Sequence, residues 1–304
     1  MSRTTQEVAI PLEVAHEATE PGIVSDLFVL TKARLSLLVI ITTFVGLCAA
    51  SGTSLDWWLL FNAVFGTTLA AGAAGVLNQF IEVRVDRLME RTRYRPLPAG
   101  RIKPAHALAL GVGMGVLGVT WLALTVNALS AVLAALTIFT YIAAYTPLKR
   151  RTSLCTIVGA ISGAIPPVIG WVAVKPSFDL GAWVLFGILF TWQMPHFLAI
   201  AWMYRDEYAQ AGFVMLRRDD VTGSKTAIQS LLYTAALIII TLIPYDTGMN
   251  NEIYLGGALL LDGVMLLFAV QFLVERERAS ARRLFFASII FLPLILGLMV
   301  FTKN

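Results

Sequence analysis

The chain has 304 residues, of which 58% are hydrophobic and 14% are charged, and its mean hydropathy is +0.76. An average soluble domain carries roughly 25% charged residues, so this composition excludes a water-soluble globule and a disordered chain, and the two cysteines in apolar runs, Cys48 and Cys155, exclude a disulfide-stabilised secreted domain. The net charge of +4 is better explained by basic residues that orient the chain in a bilayer than by nucleic-acid binding.

The chain begins with a polar segment, residues 1–24, which carries four glutamates and a single arginine. This segment has neither the small-residue cleavage site of a signal peptide nor the arginine-rich, acid-poor composition of a transit peptide. We therefore expect a flexible cytosolic N-terminal tail. One intramembrane domain over residues 25–304 is expected to follow it, in a protein inserted in a bacterial-type plasma membrane.

Nine apolar runs follow the polar segment. A bilayer core about 30 Å thick needs roughly 20 apolar residues for one helical crossing. The runs therefore predict an all-α polytopic membrane protein with nine transmembrane helices. They lie at residues 33–51, 57–79, 105–125, 128–147, 154–174, 180–204, 226–245, 253–274 and 283–302.

The basic residues lie almost entirely in alternate loops between these runs. All of the 23 lysines and arginines except Lys175 and Lys303 lie on one side of the predicted bundle, which we call the basic end. A span missed or added in mid-chain would move every later loop to the other side. The positive-inside rule predicts that the basic end is cytoplasmic, with the N-terminus there and the C-terminus on the outer side.

The loop after the second run has the densest polar pattern, which begins with Asn78, Glu82 and Asp86. These residues are four apart, and each step of four advances a helix by about 40°, so the three side chains share one face at the membrane edge. Oxygen ligands of this kind suit Mg²⁺, which is commonly held by one or two carboxylates together with substrate phosphates.

Three arginines follow at once, Arg91, Arg93 and Arg95, before Pro96 ends the run. Guanidinium groups match the geometry of phosphate oxygens. Acids for a metal followed by bases for phosphate predict a diphosphate site. The alternative is that the carboxylates only neutralise neighbouring arginines on a solvated helix end.

The fourth run ends in Tyr145 and Lys149, which are four residues apart and share a helix face. Lys149 is a candidate phosphate ligand, and Tyr145 can donate its hydroxyl or present its ring to a cation. The alternative is an interfacial tyrosine beside a lysine whose ammonium reaches water. In the fifth run, Gly159 and Gly163 predict close helix packing, and the pair of prolines that follows predicts a bend.

His196 lies inside the sixth run, directly after Pro195. Ionisable residues inside a membrane usually face a cavity, so we interpret His196 as a substrate contact, an iron ligand or a proton relay. The alternative is that it satisfies a backbone carbonyl that the proline frees. His106, just beyond the basic loop, is either an interfacial anchor or a ligand at the basic end.

A second acidic pair, Asp206 and Glu207, follows the sixth run on the same side as Glu82 and Asp86. Two ions suit the charge of a diphosphate, so this pair is a candidate for a second Mg²⁺ site. The alternative is an ordinary solvated helix end. Because the two polar loops follow the second and sixth runs, they also suggest a duplication of four spans.

Asp262, deep in the eighth run, has no evident partner in the sequence and receives no role. The sequence lacks a phosphate-binding P-loop, a Cys-x-x-Cys-His haem-attachment motif, paired Cys/His zinc spacing and a nucleophile elbow. The usual sequence motifs of ATP-driven transporters and of proteins that bind haem covalently are therefore absent from the sequence.

Five segments resemble the heme O synthase (protoheme IX farnesyltransferase) family of UbiA-type intramembrane prenyltransferases. The Arg-Thr-x-x-Arg-Pro-Leu run is the most specific of them, because carboxylate motifs occur across the wider superfamily, which commonly has aspartate in place of Glu82. With the nine runs, the resemblance covers residues 25–304. The segments are NQFIEVRVDRLMERTRYRPLPAG (78–100), YTPLKRRT (145–152), VGAISGAIPPVIGW (158–171), TWQMPHF (191–197) and the acidic segment that ends at Ala211 and Gly212.

The resemblance implies transfer of a farnesyl group from farnesyl diphosphate to a vinyl group of haem B, with addition of water, to give haem O and diphosphate. It also implies Mg²⁺ as cofactor, a central cavity open toward the cytoplasmic side, the bilayer as surroundings, handover of the product to haem A synthase or a terminal oxidase, and no nucleic-acid partner. The implied catalytic residues are Asn78, Glu82, Asp86, Tyr145 and Lys149, the metal ligands are Asn78, Glu82, Asp86, Asp206 and Glu207, and the substrate-binding residues are Arg91, Arg95, His196, Asp206 and Glu207.

Two other functions stay open on the sequence. One is prenylation of a quinone precursor or another aromatic acceptor by the same ionisation chemistry. The other is a proton-coupled transporter that uses Asp262 and His196 as relay groups. Against transport, the densest polar pattern lies at one membrane edge, whereas transporter sites usually lie near the midplane.

Overall fold

The computed structural model describes residues 22–52 and 54–304, so the predicted tail up to residue 21 lies outside the described residues. The described part is all-α, apart from one isolated β-bridge between Asn250 and Lys303. A π-helical segment, Thr140–Tyr145, joins α5 to α6. The α-helices are α1 (Ile23–Leu30), α2 (Ala33–Ala50), α3 (Trp57–Asp86), α4 (Pro104–Thr125), α5 (Ala128–Phe139), α6 (Thr146–Leu148), α7 (Cys155–Val174), α8 (Leu180–Met203), α9 (Arg205–Gln210), α10 (Ser224–Asp246), α11 (Glu252–Glu275) and α12 (Arg278–Phe301).

Within the described ranges, nine helical spans are long and apolar enough to cross a membrane. They are α2, α3, α4, the continuous stretch Ala128–Leu148, α7, α8, α10, α11 and α12. The predicted all-α architecture with nine candidate crossings is therefore confirmed. The helix ends lie within two residues of the predicted ends, except that α3 ends seven residues later and α12 begins five residues earlier.

α3 continues well past residue 79, where the apolar run that predicts it ends. Its 30 residues extend about 45 Å at 1.5 Å per residue, whereas a bilayer core is about 30 Å thick. The last turns of α3 therefore extend beyond the apolar layer at the basic end. These turns carry Glu82 and Asp86, so a single rigid helix brings the predicted polar face to the membrane edge.

The fourth span is not regular α-helix throughout, which the apolar pattern did not reveal. α5 ends at Phe139, and the π-helical segment takes the chain on to α6. Such wider turns are frequent at functional sites. This one carries Tyr141 and Tyr145, whose ring centroids are 5.0 Å apart. The segment therefore presents two neighbouring aromatic rings near the basic end.

The membrane helices pack in two groups that share one pattern. In the first group α2 packs on α3, α3 on α4, α4 on α5, and both α3 and α5 pack on α7. Four spans later α7 packs on α8, α8 on α10, α10 on α11, and both α8 and α11 pack on α12. This repetition is the packing expected of a four-span duplication.

α2 and α7, which occupy equivalent positions in the two groups, pack along each other, and glycines allow the two backbones to approach. A Cβ atom at Gly46 would overlap the carbonyl oxygen of Pro167, and one at Gly170 would overlap the α2 backbone. Gly163 of α7 likewise allows α8 to pack closely, because a Cβ atom at Gly163 would overlap the Gln193 side chain. Without a hydrophobic driving force between helices in lipid, such close packing supplies much of the association energy.

We expect Gly170→Ala to lower the unfolding temperature of the purified protein in detergent by roughly 2–10 °C, because the added methyl group forces α2 and α7 apart. Heating followed by size-exclusion chromatography measures this loss. Gly113→Ala is the matched control. Gly113 lies in α4 with open space at its Cβ position, and alanine is the better helix former, so its unfolding temperature should hold or rise. Equal stability of the two variants would contradict the close α2–α7 packing.

Candidate functional site

Asn78, Glu82 and Asp86 lie along one buried face of α3. Their exposed fractions are 0%, 7% and 3%. The spacing of four residues predicts this shared face, and the helix extends through all three positions. Because taking a carboxylate out of water is costly unless it is paired, the burial requires partners of opposite charge.

Each of the three side chains is matched by one cation, and the three cations come from three different segments of the chain. One precedes α2, one follows α6 and one lies in the loop after α3. The hydrogen bonds are those from the Lys32 ammonium to Asn78 Oδ1, from the Lys149 ammonium to Glu82 Oε1 at 2.9 Å, and from Arg95 Nη1 to Asp86 Oδ2 at 2.8 Å.

Lys149 is held in position by aromatic rings and by its own backbone. Its ammonium nitrogen lies 4.6 Å from the Tyr145 ring centroid and 5.8 Å from that of Phe213. Its carbonyl accepts a hydrogen bond from the Val214 N–H at 2.6 Å. Burial disfavours the ammonium form, but Tyr145 and then the Glu82 carboxylate favour it, and together they hold the pKa of Lys149 above that of a free lysine. Tyr145 and Lys149 therefore form one cationic unit with a fixed charge.

The π-helical segment and α7 fix the neighbouring part of the site. Tyr145 packs against Gly159 of α7, where a Cβ atom would lie 2.8 Å from the ring. Thr146 Oγ1 accepts a hydrogen bond from Asn78 Nδ2 at 3.0 Å, which leaves the amide oxygen facing Lys32. Gly159 is therefore a packing residue, as its spacing predicts, and its packing partner belongs to the site.

Lys32 belongs to the site, although the sequence marks it only as an orienting charge. It lies between α1 and α2 with a φ of 52°, in the left-handed region that non-glycine residues seldom adopt. Its ammonium also donates to the Tyr141 hydroxyl at 3.3 Å. Gln79 of α3 holds the preceding turn by donating to the carbonyls of Val29 and Leu30 at 2.7 and 2.9 Å. A lone lysine between two apolar segments was the only sequence signal for this role.

α1 closes the site on its N-terminal side and begins at Ile23, inside the segment predicted as tail. Asp26 of α1 is 3% exposed and accepts hydrogen bonds from Nε and Nη2 of Arg101 at 2.8–3.1 Å. This ion pair ties α1 to the loop after α3. Gln79 of α3 and Arg101 of the loop after α3 therefore both bind the segment that precedes Lys32.

The three arginines of the basic run have different surroundings. Thr92 Oγ1 donates to the backbone carbonyl of Asp86 at 2.8 Å, so the chain turns back directly after α3. This turn brings Arg95 to the Asp86 carboxylate. Arg91 and Arg93 are exposed at the surface of the loop. Of the two arginines predicted to bind substrate, the structure brings Arg95 to the carboxylate face and leaves Arg91 outside it.

Asp206 and Glu207 lie on α9 and are both exposed. Within the described part of the chain, no three histidine, cysteine, aspartate or glutamate side chains are arranged to hold a metal ion. The five predicted metal ligands therefore do not form one preassembled centre. α9 nevertheless lies beside the end of α3, through an apolar cluster formed by Val85, Met89, Tyr208, Ala211 and Phe213.

His196 faces α12. Its ring lies between those of Trp192 and Phe285, at centroid distances of 5.0 and 4.9 Å, and its Nδ1 is 2.8 Å from Ser288 Oγ. Its hydrogen bond is thus to a side chain of another helix rather than to a carbonyl freed by the adjacent proline. His106 is exposed at the start of α4.

Asp262 has a partner that the sequence did not indicate. It is 2% exposed, and the Thr241 hydroxyl donates to its Oδ2 at 2.7 Å. The Tyr254 hydroxyl donates to the Thr241 carbonyl at 2.8 Å. This group links α10 to α11, and neither helix carries a residue of the α3 site.

Comparison with known proteins gives a family match over most of the chain. A model of the UbiA prenyltransferase family matches residues 39–292. A protein named protoheme IX farnesyltransferase from Solibacter usitatus is 43% identical, and the match covers 91% of this chain and 98% of that protein. A protein of the same name from Koribacter versatilis is 37% identical, with 100% of both chains covered.

Solved structures show the same fold at low sequence identity. A structure described in connection with digeranylgeranylglyceryl phosphate synthase has a TM-score of 0.79 and 16% identity, with 91% of this chain and 97% of the other covered. A UbiA homologue from Archaeoglobus fulgidus bound to GPP and Mg²⁺ has a TM-score of 0.65 and 11% identity, with 90% and 99% covered.

We expect Lys149→Met to lower the free energy of unfolding by about 3 kcal/mol, because it leaves the buried Glu82 carboxylate without its partner. Adding Glu82→Gln should restore most of this loss, since the unpaired charge is then removed. Urea unfolding in mixed detergent micelles measures all of these variants.

The matched control for this charge pair is Arg283→Met. It breaks an ion pair with Glu275 whose side chains are 43% and 31% exposed, so the expected change is below about 1 kcal/mol. If the double variant at positions 82 and 149 is less stable than Lys149→Met alone, the burial of Glu82 does not depend on its pairing with Lys149.

Proposed function

The chain belongs to the UbiA prenyltransferase family, and from that membership we propose that it acts as a protoheme IX farnesyltransferase. The reaction joins the farnesyl group of farnesyl diphosphate to a vinyl group of haem B, adds water, and yields haem O and diphosphate. The shared name of bacterial relatives at 37% and 43% identity supports haem as acceptor. The three cations that face Asn78, Glu82 and Asp86 support a diphosphate donor, and this observation carries the proposal.

The chain is a multi-pass membrane protein, and we assign it to the bacterial plasma membrane with its basic end in the cytoplasm. The concentration of lysine and arginine at that end supports this orientation. The central cavity expected from the family would then open to the cytoplasm beside α3 and α9. Both substrates are lipophilic, which accounts for a catalyst built within the bilayer.

Asn78, Glu82 and Asp86 suit Mg²⁺ because they offer oxygen ligands along one helix face. Mg²⁺ is usually held by one or two carboxylates together with substrate phosphates, so a site of this kind needs no cluster of protein acids. When bound, Mg²⁺ would offset the charge of the diphosphate and improve it as a leaving group. We assign Asp206 and Glu207, on the neighbouring α9, to a second ion.

The cations change partners when substrate binds. Without substrate, Lys32, Lys149 and Arg95 neutralise the polar face of α3. With farnesyl diphosphate bound, the same groups donate hydrogen bonds to its phosphate oxygens, where negative charge grows as the bond to carbon breaks. Arg91, exposed beside them, adds positive charge at the entrance to the site.

The chemical step begins when the bond between the farnesyl C1 and the diphosphate oxygen breaks, with both electrons going to oxygen. The allylic cation that results lies close to the rings of Tyr141 and Tyr145, whose π electrons favour a cation. A haem vinyl carbon attacks the cation, so a carbon–carbon bond forms and the positive charge moves to the neighbouring vinyl carbon. Water adds there and releases a proton, which leaves a hydroxyl group on the product.

The remaining site residue, His196, is assigned to the haem substrate. Prenylation of another aromatic acceptor would use the same donor chemistry, but the relatives at about 40% identity are named for haem. The transporter alternative is wrong, because the family is one of prenyltransferases. Asp262, its proposed relay group, is hydrogen-bonded to Thr241 between α10 and α11.

We expect Asp86→Asn to lower kcat/KM by about a hundredfold or more, because it weakens the groups that stabilise the departing diphosphate. The assay contains purified protein, haem B, farnesyl diphosphate and Mg²⁺, with the haem product detected by mass spectrometry. Haem binding, followed by absorption, should be unchanged.

Glu275→Gln is the control for Asp86→Asn, because it removes a carboxylate at the basic end that pairs only with Arg283 in the structure, and it should keep full activity. A chelator should stop the wild-type enzyme, and added Mg²⁺ should restore it. Full activity in Asp86→Asn, or in the chelated wild type, would remove the metal assignment.

A second expectation concerns Lys32. Lys32→Gln should raise the KM for farnesyl diphosphate by roughly tenfold or more, since a hydrogen bond to a charged group contributes about 1.5–3 kcal/mol. The KM for haem B should stay within a factor of about two of the wild-type value, because the lost ammonium lies on the diphosphate side. Lys103→Gln, at an exposed position of the same end, is the control and should leave both constants unchanged.

A further inference from the structure

The hydrogen bonds around His196 determine which ring nitrogen carries its proton. Ser288 Oγ lies 2.6 Å from the Phe285 carbonyl oxygen and 2.8 Å from His196 Nδ1. A hydroxyl has one proton and a carbonyl only accepts, so the Ser288 proton is donated to Phe285 and the Ser288 oxygen accepts from His196 Nδ1–H. In neutral His196, Nε2 is then left with its lone pair.

This lone pair has no protein partner in the described part of the chain. His196 is half-buried, and its Nε2 is not one of the fully buried, unpartnered polar atoms of the described residues. Histidines that ligate a metal commonly donate one N–H to a neighbouring group, which fixes the tautomer and leaves the other nitrogen for the metal. Ser288 gives His196 the same arrangement.

The direction of His196 follows from the helix that carries it. At 100° per residue, His196 lies about 60° around α8 from Gln193, whose side chain donates to the Ala160 carbonyl of α7 at 3.3 Å. On its other side His196 bonds to α12. Because α2 packs against both α7 and α12, His196 lies on the side of α8 that faces these neighbouring helices. Gly159, adjacent to Ala160, packs against Tyr145 of the diphosphate site.

The surroundings of His196 suit a flat, largely apolar ligand with acidic groups at one edge. The imidazole ring packs against the rings of Trp192 and Phe285, and both contacts restrict its orientation. Arg282 is exposed at the basic end of α12, one helical turn before Phe285, and its guanidinium carbon lies 5.5 Å from the ring centroid of the exposed Phe286. A porphyrin with two propionates matches this sequence of aromatic, imidazole and guanidinium groups.

We propose that His196 Nε2 is the axial ligand of the iron of the haem substrate, that Ser288 sets the tautomer for it, and that Arg282 pairs with a haem propionate. This inference rests on the proposed function, since only a haem acceptor brings iron to the site. The two substrates then approach from opposite groups of helices, farnesyl diphosphate from α3 and haem from α8 and α12. His196 is a substrate-binding residue in this scheme and takes no part in bond breaking.

The test is a titration of the purified full-length protein with haem B in detergent, without farnesyl diphosphate, followed by absorption and electron paramagnetic resonance. The wild type should give a saturable shift of the Soret band and the signal of nitrogen-ligated iron. His196→Ala should lose that signal and bind haem at least about tenfold more weakly. Added imidazole should restore the nitrogen-ligated signal in His196→Gly. His106→Ala, which removes the exposed histidine of α4, should match the wild type.

Two further variants separate ligation from folding. Ser288→Ala should keep nitrogen ligation but weaken haem binding by about tenfold, because the tautomer is no longer fixed. Arg282→Gln should weaken haem binding without changing the ligation signal. Thermal protection by farnesyl diphosphate and Mg²⁺, equal in His196→Ala and the wild type, shows that the diphosphate site and the fold are intact.

Formation of haem O by the same samples distinguishes the two proposals. A wild type that makes haem O, combined with an unchanged iron signal and haem affinity in His196→Ala, overturns axial ligation and leaves the proposed function in place. A wild type that ligates haem through His196 but forms no haem O overturns the proposed function.

Discussion

The site depends on pairing three buried oxygen-bearing side chains of α3 with three cations that arrive from elsewhere in the chain. Asn78, Glu82 and Asp86 form a single row because one unbroken helix carries them past the membrane edge. Buried acids of this kind are stable only when paired, so each surrounding segment has to deliver its cation to one position. The left-handed turn before α2, the π-helical segment and the turn after α3 each satisfy that requirement locally.

The same pairing bears on the proposed binding of a diphosphate at these cations. In the structure the carboxylates of Glu82 and Asp86 satisfy the cations opposite them. A diphosphate brings more negative charge than it displaces, and divalent cations balance the remainder. The proposed exchange of partners uses charged groups that the fold has already brought together, and preorganised electrostatic catalysis requires such placement.

Periodic features were predictable from the sequence, and features that depend on irregular backbone were not. The nine runs and the shared face of Asn78 and Glu82 follow from the helical repeat alone. The role of Lys32 does not follow from the repeat, because the left-handed backbone conformation at Lys32 directs its side chain to the site. No periodic pattern in the sequence indicates such a conformation. Arg95 and Arg91 look alike in the sequence, and only the turn made by Thr92 decides that Arg95 reaches Asp86. The alternative in which the carboxylates neutralise neighbouring arginines therefore applies to one of the three pairs, that of Asp86 with Arg95.

The repeated packing of four spans places the two proposed substrate-binding regions on equivalent helices. α3 and α8 occupy equivalent positions in the two groups of helices, and each packs against the helix that follows it three spans later. In the proposed scheme the first group of helices holds an anion and the second holds a flat ring, so one repeated arrangement of helices serves two chemically different ligands.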